Sequence, residues 1–543
     1  MPDNKRAAEA NSANKRPRKE SSCFPGLFSR AQELSDAYSA AQPFRHAQIT
    51  PFCCPTLLEG VRQEMLKLHY TQKETDIFKY HQSGDLANLD GLSSKEREQL
   101  PCLQRLRDAL YSQEFRDFVS QVTGCGPLSG IRTDMSTNRY KQGDHLLLHD
   151  DVIGDRRVSY IIYLPDPQSE WLPEDGGGLE LYPRESQESW APAIHPARVI
   201  APRWNQMVLF TVLPGQSHHA VQEVCGVGKE RLSIQGWFHF PQPGEPGYHA
   251  DQMQTLWEKG AQSTLSQVEA KKQREQGCPS TQSLRPLAPS MDKPLADSKL
   301  ARHVNPEYLD PKVMQQISDR FTDDSYIKLS EFLNRECAQK LQQALATADR
   351  EDGVGGCRMP AYEAGERAGW KPEGPPVVRR FLRVEEPGQD EASCLLAQLQ
   401  DMFGSDEFAC WLAHVTTMSP VACRGLARRF RAGLDYTLGT PDGATESMLD
   451  AVLCLASKPS VWADGSVGGY HCYVDGGSDN ASNDGSVYRS NEDDGILLTT
   501  PAAWNMLTLV LREPGVVQFV KYVGTAAPGS RWDVSFEYSV ADE

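Results

Sequence analysis

The chain repeats itself. Pro202-Arg203-Trp204-Asn205, ahead of an apolar stretch, recurs as Pro501-Ala502-Ala503-Trp504-Asn505, and Trp504, Asn505 and Arg531 stand 300 positions after Trp204, Asn205 and Arg231. Gly177-Gly178 before an aromatic strand returns as Gly468-Gly469, and Tyr140-Lys141-Gln142-Gly143 as Phe430-Arg431-Ala432-Gly433. Self-similarity of this kind marks an internal duplication, so the architecture of one half constrains the other. At 543 residues the chain has room for two large units, each with a sizeable core.

In the first half, short β-type runs begin near residue 131 and are separated by Gly, Pro and Asp clusters. They cover 157–164, 178–182, 198–200, 207–213 and 231–238. Many short strands at this spacing predict an antiparallel barrel or jelly roll. Ahead of them, 58–69 and 104–124 carry apolar positions at three-and-four spacing and predict amphipathic helices. Between these, 78–89 mixes aromatic and polar residues and reads as a surface connection, of the kind that can order over a substrate. The second half repeats the order, with helices at 310–321, 334–347 and 394–403 followed by strands. The expected class is therefore α+β, with a basic tail at 1–30, a first domain at 31–245, a linker at 246–303 and a second domain at 304–543. The linker is rich in Pro, Gln, Ser and Lys and has space for one short helix near 252–259.

Charge and cysteine usage bound the function. The net charge of −17 conceals a basic tail in which Lys5-Arg6 and Lys15-Arg16-Pro17-Arg18-Lys19 resemble a bipartite nuclear-import signal, pointing to nucleus and cytoplasm. A merely solubilising tail is the plain alternative. The acidic remainder would repel nucleic acid and suits a basic protein partner. Fourteen cysteines without one C-x-x-C pair argue against zinc ribbons and thioredoxin-like chemistry, and fit reduced thiols. No apolar run approaches a membrane span, and the N-terminus is too polar for a signal peptide, so a soluble intracellular protein is expected.

The chemistry concentrates in residues 140–240. His149-x-Asp151 ends the run 145–148, His219 follows the strand at 207–213, and Arg231 opens the strand at 231–238. Two imidazoles and a carboxylate on one side of a metal leave its opposite face open, the arrangement that suits non-haem Fe(II) oxygenases. A second His-x-Asp, His249 and Asp251, sits in a Gly/Pro-rich edge with no strand-borne His and Arg behind it. Arg231 would fork onto the far carboxylate of 2-oxoglutarate, with the Tyr163 hydroxyl beside it. The plain readings are a solvated strand arginine and a core aromatic. In the copy, the 300-residue offset puts Phe519 at the position of His219, and the Phe430 match puts Gly439 and Pro441 at those of His149 and Asp151. The second barrel is therefore expected not to bind iron and to serve docking or stability.

These residues resemble the 2-oxoglutarate and iron-dependent oxygenase domain-containing proteins of the Tpa/Ofd type, the ribosomal prolyl 3-hydroxylases. The matching stretches are His149-Asp150-Asp151, GGLELY at 177–182, Trp204-Asn205, His219-Ala220-Val221 with Glu223-Val224, Arg231-Leu232-Ser233-Ile234 and Gly236-Trp237-Phe238-His239. In the second half they are Asn305-Pro306-Glu307-Tyr308-Leu309, Phe519-Val520-Lys521 and Trp532-Asp533, so the likeness spans 44–538. The resemblance implies tandem double-stranded β-helix (jelly-roll or cupin-like) domains, each flanked by helices, of which the first alone is catalytic. It implies His149, Asp151 and His219 as iron ligands and Arg231 with Tyr163 as 2-oxoglutarate contacts. The cofactors would be Fe(II) and 2-oxoglutarate, with ascorbate as reductant. The substrate would be a prolyl residue of the small-subunit ribosomal protein at the decoding centre, hydroxylated at C3, with a part in translation accuracy and termination-factor partners. Gln82, Ser83 and Asp85 lie in a stretch similar to the family's substrate-facing segment. The Gly/Asp-rich loop 475–494 departs from the family pattern. Two rivals remain: a nucleic-acid demethylase, which carries a second arginine where Trp237 stands here, and a scaffold in translation termination or mRNA-tail metabolism. Deleting 300–543 is expected to separate scaffold from enzyme.

Overall fold

The computed structural model describes residues 23–541 except 88–96, 187, 251–282, 290–294, 296–297, 368, 389, 441–445 and 477–494. The basic clusters at 5–6 and 15–19, the helix expected near 252–259, Pro441 and most of the loop 475–494 lie outside the described residues. So does Asp251 of the second His-x-Asp.

The strands of the first unit are β1 (His46–Ile49), β2 (Thr71–Glu74), β3 (Phe78–Gln82), β4 (Thr133–Tyr140), β5 (His145–His149) and β6 (Arg156–Tyr163). They continue with β7 (Leu179–Leu181), β8 (Arg198–Ile200), β9 (Gln206–Thr211), β10 (His219–Val221) and β11 (Arg231–His239). All pair antiparallel in the order β1-β9-β6-β11-β4-β3-β5-β10-β7-β8, with β2 beside β3. Burial explains the composition of these runs. Along β6, Tyr160 and Ile162 face a cluster shared with the helices, while Ile161 and Tyr163 face an inner cluster with Tyr80, Tyr140, Leu181, Phe210 and Val221. A strand covered on both faces reads as a continuous apolar run rather than an alternation. Because the inner cluster takes side chains from β3 through β10, the sheet curls until its halves face each other as a half-barrel.

Helices Ala31–Ala40, Pro55–Met65, Pro101–Leu110 and Gln113–Thr123 cover the outer face of the β9-β6-β11-β4 half. The helix expected over 104–124 is two helices. Ser112 caps the second, its hydroxyl accepting from Phe115 N at 3.3 Å. The apolar spacing runs through this break, so periodicity alone conceals it. The surface connection expected at 78–89 is corrected: its first part is β3, bridging β4 and β5, with Phe78 and Tyr80 turned into the barrel. Phe24 and Leu27, ahead of the expected start of the first domain, are buried among these helices.

After β12 (Arg285–Pro286) the second unit repeats the first. Its strands are β13 (Tyr326–Ser330), β14 (Trp370–Glu373), β15 (Arg379–Val384), β16 (Ser419–Phe430), β17 (Tyr436–Thr437) and β18 (Met448–Cys454). The rest are β19 (His471–Asp475), β20 (Ile496–Thr500), β21 (Met506–Arg512), β22 (Val516–Val520) and β23 (Arg531–Ala541). The order β1-β9-β6-β11-β4-β3 recurs as β13-β21-β18-β23-β16-β15, and β10-β7-β8 as β22-β19-β20. Helices Pro311–Asp324, Arg335–Glu351, Glu391–Phe403 and Asp406–Thr416 pack in its core, the last unforeseen in the sequence. This unit reaches back into the stretch read as linker, since β12 pairs with β16 and Leu295 and Leu300 are buried in its core. No helix among the described residues is long and apolar enough to cross a membrane.

The shared Trp-Asn motif has a structural purpose. Asn205 and Asn505 both adopt left-handed backbone, φ 58° and 52°, just before β9 and β21. Asn205 accepts from Phe52 N and Cys53 N and donates to Cys53 O, while Asn505 accepts from Leu333 N and donates to Leu333 O. Each side chain staples an earlier segment of its unit to the start of a central strand.

Candidate active site

β5 ends in His149, and Asp151 two residues later takes φ 61°, a left-handed turn that aspartate tolerates better than most residues. β10 runs antiparallel to β5 and places His219 directly opposite His149. The ligand atoms of His149, Asp151 and His219 all lie within 4.8 Å of one another, and among the described residues no other trio of His, Cys, Asp or Glu does this. His149 Nε2 is 3.4 Å from Asp151 Oδ1, and His219 Nε2 is 3.5 Å from Asp151 Oδ2.

The tautomers are set from behind. Leu147 O accepts from His149 Nδ1 at 2.9 Å, and Ser217 O accepts from His219 Nδ1 at 2.7 Å. A carbonyl only accepts, so each Nδ1 carries the proton and each Nε2 turns a lone pair toward Asp151. Asp151 Oδ2 is held by Ser159 Oγ at 2.9 Å and Trp237 Nε1 at 3.1 Å. Burial pushes His219 down to about 4, helped by the neighbouring His149. Burial works against the Asp151 anion, but His219 and His149 outweigh it and hold the carboxyl far below its usual range. Burial likewise opposes charge on His149, and the facing Asp151 outweighs it and raises that imidazole. One anionic and two imidazole donors on converging vectors fit a divalent transition metal with an open face.

Arg231 fits the second expectation. It is 1% exposed and sandwiched between the rings of Tyr140 and Tyr163, at 4.8 and 4.9 Å from their centroids. The register produces this, because Arg231 pairs with Tyr140 on β4 while Ser233 pairs with Tyr163 on β6. Ser233 Oγ receives Nη1 at 3.3 Å, but among the described residues Nε and Nη2 have no hydrogen-bond partner, nor do the hydroxyls of Tyr140 and Tyr163. The Asn138 amide and Gln206 Oε1 are unpartnered too. A buried guanidinium without an anion is costly, and a carboxylate-bearing ligand would offset that cost.

Sequence reasoning missed Tyr140, Asn138, Gln206, Ser159 and the Trp237 contact. Tyr140 carried a signal, since its counterpart Phe430 lacks the hydroxyl. Trp237 stands where a second arginine was looked for, and instead its indole holds the Asp151 carboxylate. Gln82 donates to Ser136 Oγ, the Ser83 hydroxyl accepts from Thr137 N, and Asp85 accepts from Ala87 N, so each has a local structural partner.

Among the described residues the copy has lost both halves of the site, and the register corrects one assignment. Gly176 and Gly177 share left-handed φ with Gly468 and Gly469, and a Cβ on Gly176 or Gly468 would meet a carbonyl at 2.0 or 1.8 Å. His219 pairs with Leu181, four residues beyond Gly177; Gln518 pairs with Tyr473, four beyond Gly469. Gln518, not Phe519, therefore takes the place of His219: the copy is one residue shorter than the first unit between Asn505 and Gln518 and one residue longer between Gln518 and Arg531. Arg531 pairs with Phe430 as Arg231 does with Tyr140, but Asp533 replaces Ser233 and forms ion pairs with Arg531 and with Arg428, the latter at 2.7 Å. The second barrel carries its own carboxylate in that pocket.

Comparison with known proteins agrees with this geometry. Residues 135–239 match the 2OG-Fe(II) oxygenase superfamily, and 295–543 match the model described as oxoglutarate and iron-dependent oxygenase degradation C-term. A prolyl 3,4-dihydroxylase OGFOD1 of Ostreococcus tauri is 38% identical over 86% of this chain and 89% of its own. Prolyl 3-hydroxylase sudestada1 of Drosophila melanogaster is 27% identical over 92% and 84%, and prolyl 3-hydroxylase OGFOD1 of Mus musculus 28% over 71% and 60%. The chain belongs to the Tpa/Ofd-type family of 2-oxoglutarate and iron-dependent oxygenase domain-containing proteins.

Proposed function

We propose that this chain is a 2-oxoglutarate- and Fe(II)-dependent prolyl hydroxylase whose iron is held by His149, Asp151 and His219 and whose 2-oxoglutarate is anchored by Arg231. The observation that carries the reading is the convergence of those three donors within 4.8 Å inside a barrel that also buries an arginine with no anion beside it among the described residues. Fe(II) with 2-oxoglutarate supplies, when bound, the power to place one oxygen atom of O₂ into an unactivated C–H bond as 2-oxoglutarate becomes succinate and CO₂. The protein's own residues orient and insulate. Leu147 O and Ser217 O lock the two imidazoles, and Ser159 and Trp237 leave Asp151 one oxygen free of them. Arg231 would hold the distal carboxylate, with the Tyr163 and Tyr140 hydroxyls beside it. The apolar inner cluster lines the barrel around Arg231 and would keep water from a carboxylate held there.

A prolyl substrate is supported by the names of the relatives, which are prolyl hydroxylases. Within that class we assign C3 hydroxylation of the small-subunit ribosomal protein at the decoding centre, with a consequence for translation accuracy and termination. The acidic chain, at −17, suits such a basic substrate. The basic clusters at the N-terminus support a nuclear as well as a cytoplasmic location, and ascorbate is the reductant this class of chemistry calls for.

The test is succinate release with Fe(II), 2-oxoglutarate and O₂ on a peptide from that ribosomal protein, comparing the intact chain with His149→Ala. A prolyl product one oxygen atom heavier, made only by the intact chain, is expected. Turnover of 2-oxoglutarate with the peptide unchanged would overturn the substrate, and failure to bind either cofactor would overturn the enzyme.

A further inference from the structure

The two imidazoles ride on short strands of the first unit. β10 and β7 have three residues each and β5 five, so few ladder hydrogen bonds hold them. The helices cover the opposite half of the sheet. What lies against β5, β7 and β10 is the second unit: Leu147 packs with Tyr436 and Tyr522, and Leu148, Tyr182 and Ala220 pack with Val377. The Tyr522 ring lies on the His145 ring at 4.2 Å, at the opposite end of β5 from His149.

Glu223 concentrates this dependence. It stands four residues after His219 and is 1% exposed. The donors to its carboxylate are Thr525 N at 2.7 Å, Thr525 Oγ at 2.9 Å and the Tyr522 hydroxyl at 3.3 Å, all from the second unit. Its backbone is tied to both halves of the candidate site. Glu223 O accepts from Gly177 N, in the turn packed against Arg231, and the adjoining Val224 N donates to Asp144 O at the start of β5.

We propose that the second unit is a working part of the metal site, and that Thr525 is a positioning residue acting through Glu223 on the strand that presents His219. This rests on the iron-ligand assignment above. Without the Thr525 hydroxyl, Glu223 Oε1 loses its donor, and a shift of this buried carboxylate to regain one would move β10 relative to β5. For the same reason, deleting 300–543 does not separate catalysis from scaffolding. It strips Glu223 of its donors and uncovers the strands that carry His149 and His219.

The test uses the full-length chain and Co(II) alone, titrated by visible absorption of the bound ion, in the unaltered protein, Thr525→Val, Thr525→Ser and Tyr522→Phe, beside thermal melting of each without metal. Thr525→Val keeps the backbone donor and the side-chain volume. It is expected to weaken Co(II) binding roughly 10-fold, the scale of a lost partner behind a metal ligand, with little change in melting. Thr525→Ser should restore affinity, and Tyr522→Phe, losing the longer bond, should weaken it less than Thr525→Val. Unchanged Co(II) affinity in Thr525→Val and Tyr522→Phe would overturn the proposal. So would an affinity loss that only tracks a lower melting temperature and that serine does not rescue. No Co(II) binding by the unaltered chain would instead overturn the iron-ligand assignment beneath it.

Discussion

Replacing Asn205 by alanine tests the most repeated structural device in the chain. The side chain is 4% exposed, and its loss leaves Cys53 N and Cys53 O without partners inside the unit, while Phe52 N keeps its bond to Asn205 O. Two buried backbone groups left unpaired cost about 1–3 kcal/mol each. Alanine at φ 58° adds about 1 kcal/mol that asparagine and glycine largely avoid. The sum is about 3–7 kcal/mol, which for a unit of this size lowers the melting temperature by roughly 10 °C or more. Scanning calorimetry of the full chain reads it, with Asn205→Gly expected to recover the conformational part and Asn205→Asp, which keeps both acceptor bonds, about half of the whole. Asn505→Ala, whose side chain spans Leu333 N and Leu333 O in the same way, should produce a loss of similar size in the second unit. Equal losses for glycine and alanine would refute the conformational part, and an alanine shift below about 2 °C would refute the hydrogen-bond accounting altogether.

Arg231→Lys keeps the charge but not the fork, a loss of about 1.5–3 kcal/mol, so 2-oxoglutarate affinity measured by calorimetry should fall roughly 10- to 100-fold. Unaltered affinity would place the distal carboxylate elsewhere. Burial raises Glu223 to about 7 from its ordinary 4.5. Because the folded value lies above the unfolded one, the associated stability is complete below about 4.5 and is lost as pH rises through about 7, to a limit of about 3 kcal/mol. Metal-free Glu223→Gln should therefore lose less stability than the unaltered chain between those pH values, and parallel pH–stability curves for the two would contradict this assignment.

Much of the site was legible because its chemistry is carried by residue types that have few substitutes. A His-x-Asp at a strand end, a distant His and a strand-opening Arg need specific donor atoms, so they remain visible in the sequence. The groups that orient them do not. Leu147 and Ser217 act through backbone carbonyls, Ser159 and Trp237 have ordinary strand roles elsewhere, and Glu223, though it lies in a stretch that matches the family, has its role set by contacts made from residues some 300 positions away. The misread stretch at 78–82 shows the same limit, since a five-residue strand with two buried aromatics looks like a loop until β4 and β5 flank it.

By itself the sequence determined the duplication, the strand-rich class of both halves and the absence of a histidine at the place of His219 in the second. These depend on residue identity, local periodicity and composition. The tertiary structure alone decided that Gln518 rather than Phe519 replaces His219, that Asp533 fills the pocket copied around Arg531, and that the second unit closes over the strands bearing His149 and His219. Register shifts by one residue with a change of one residue in loop length, and a contact between distant segments is set by packing, which no local pattern encodes.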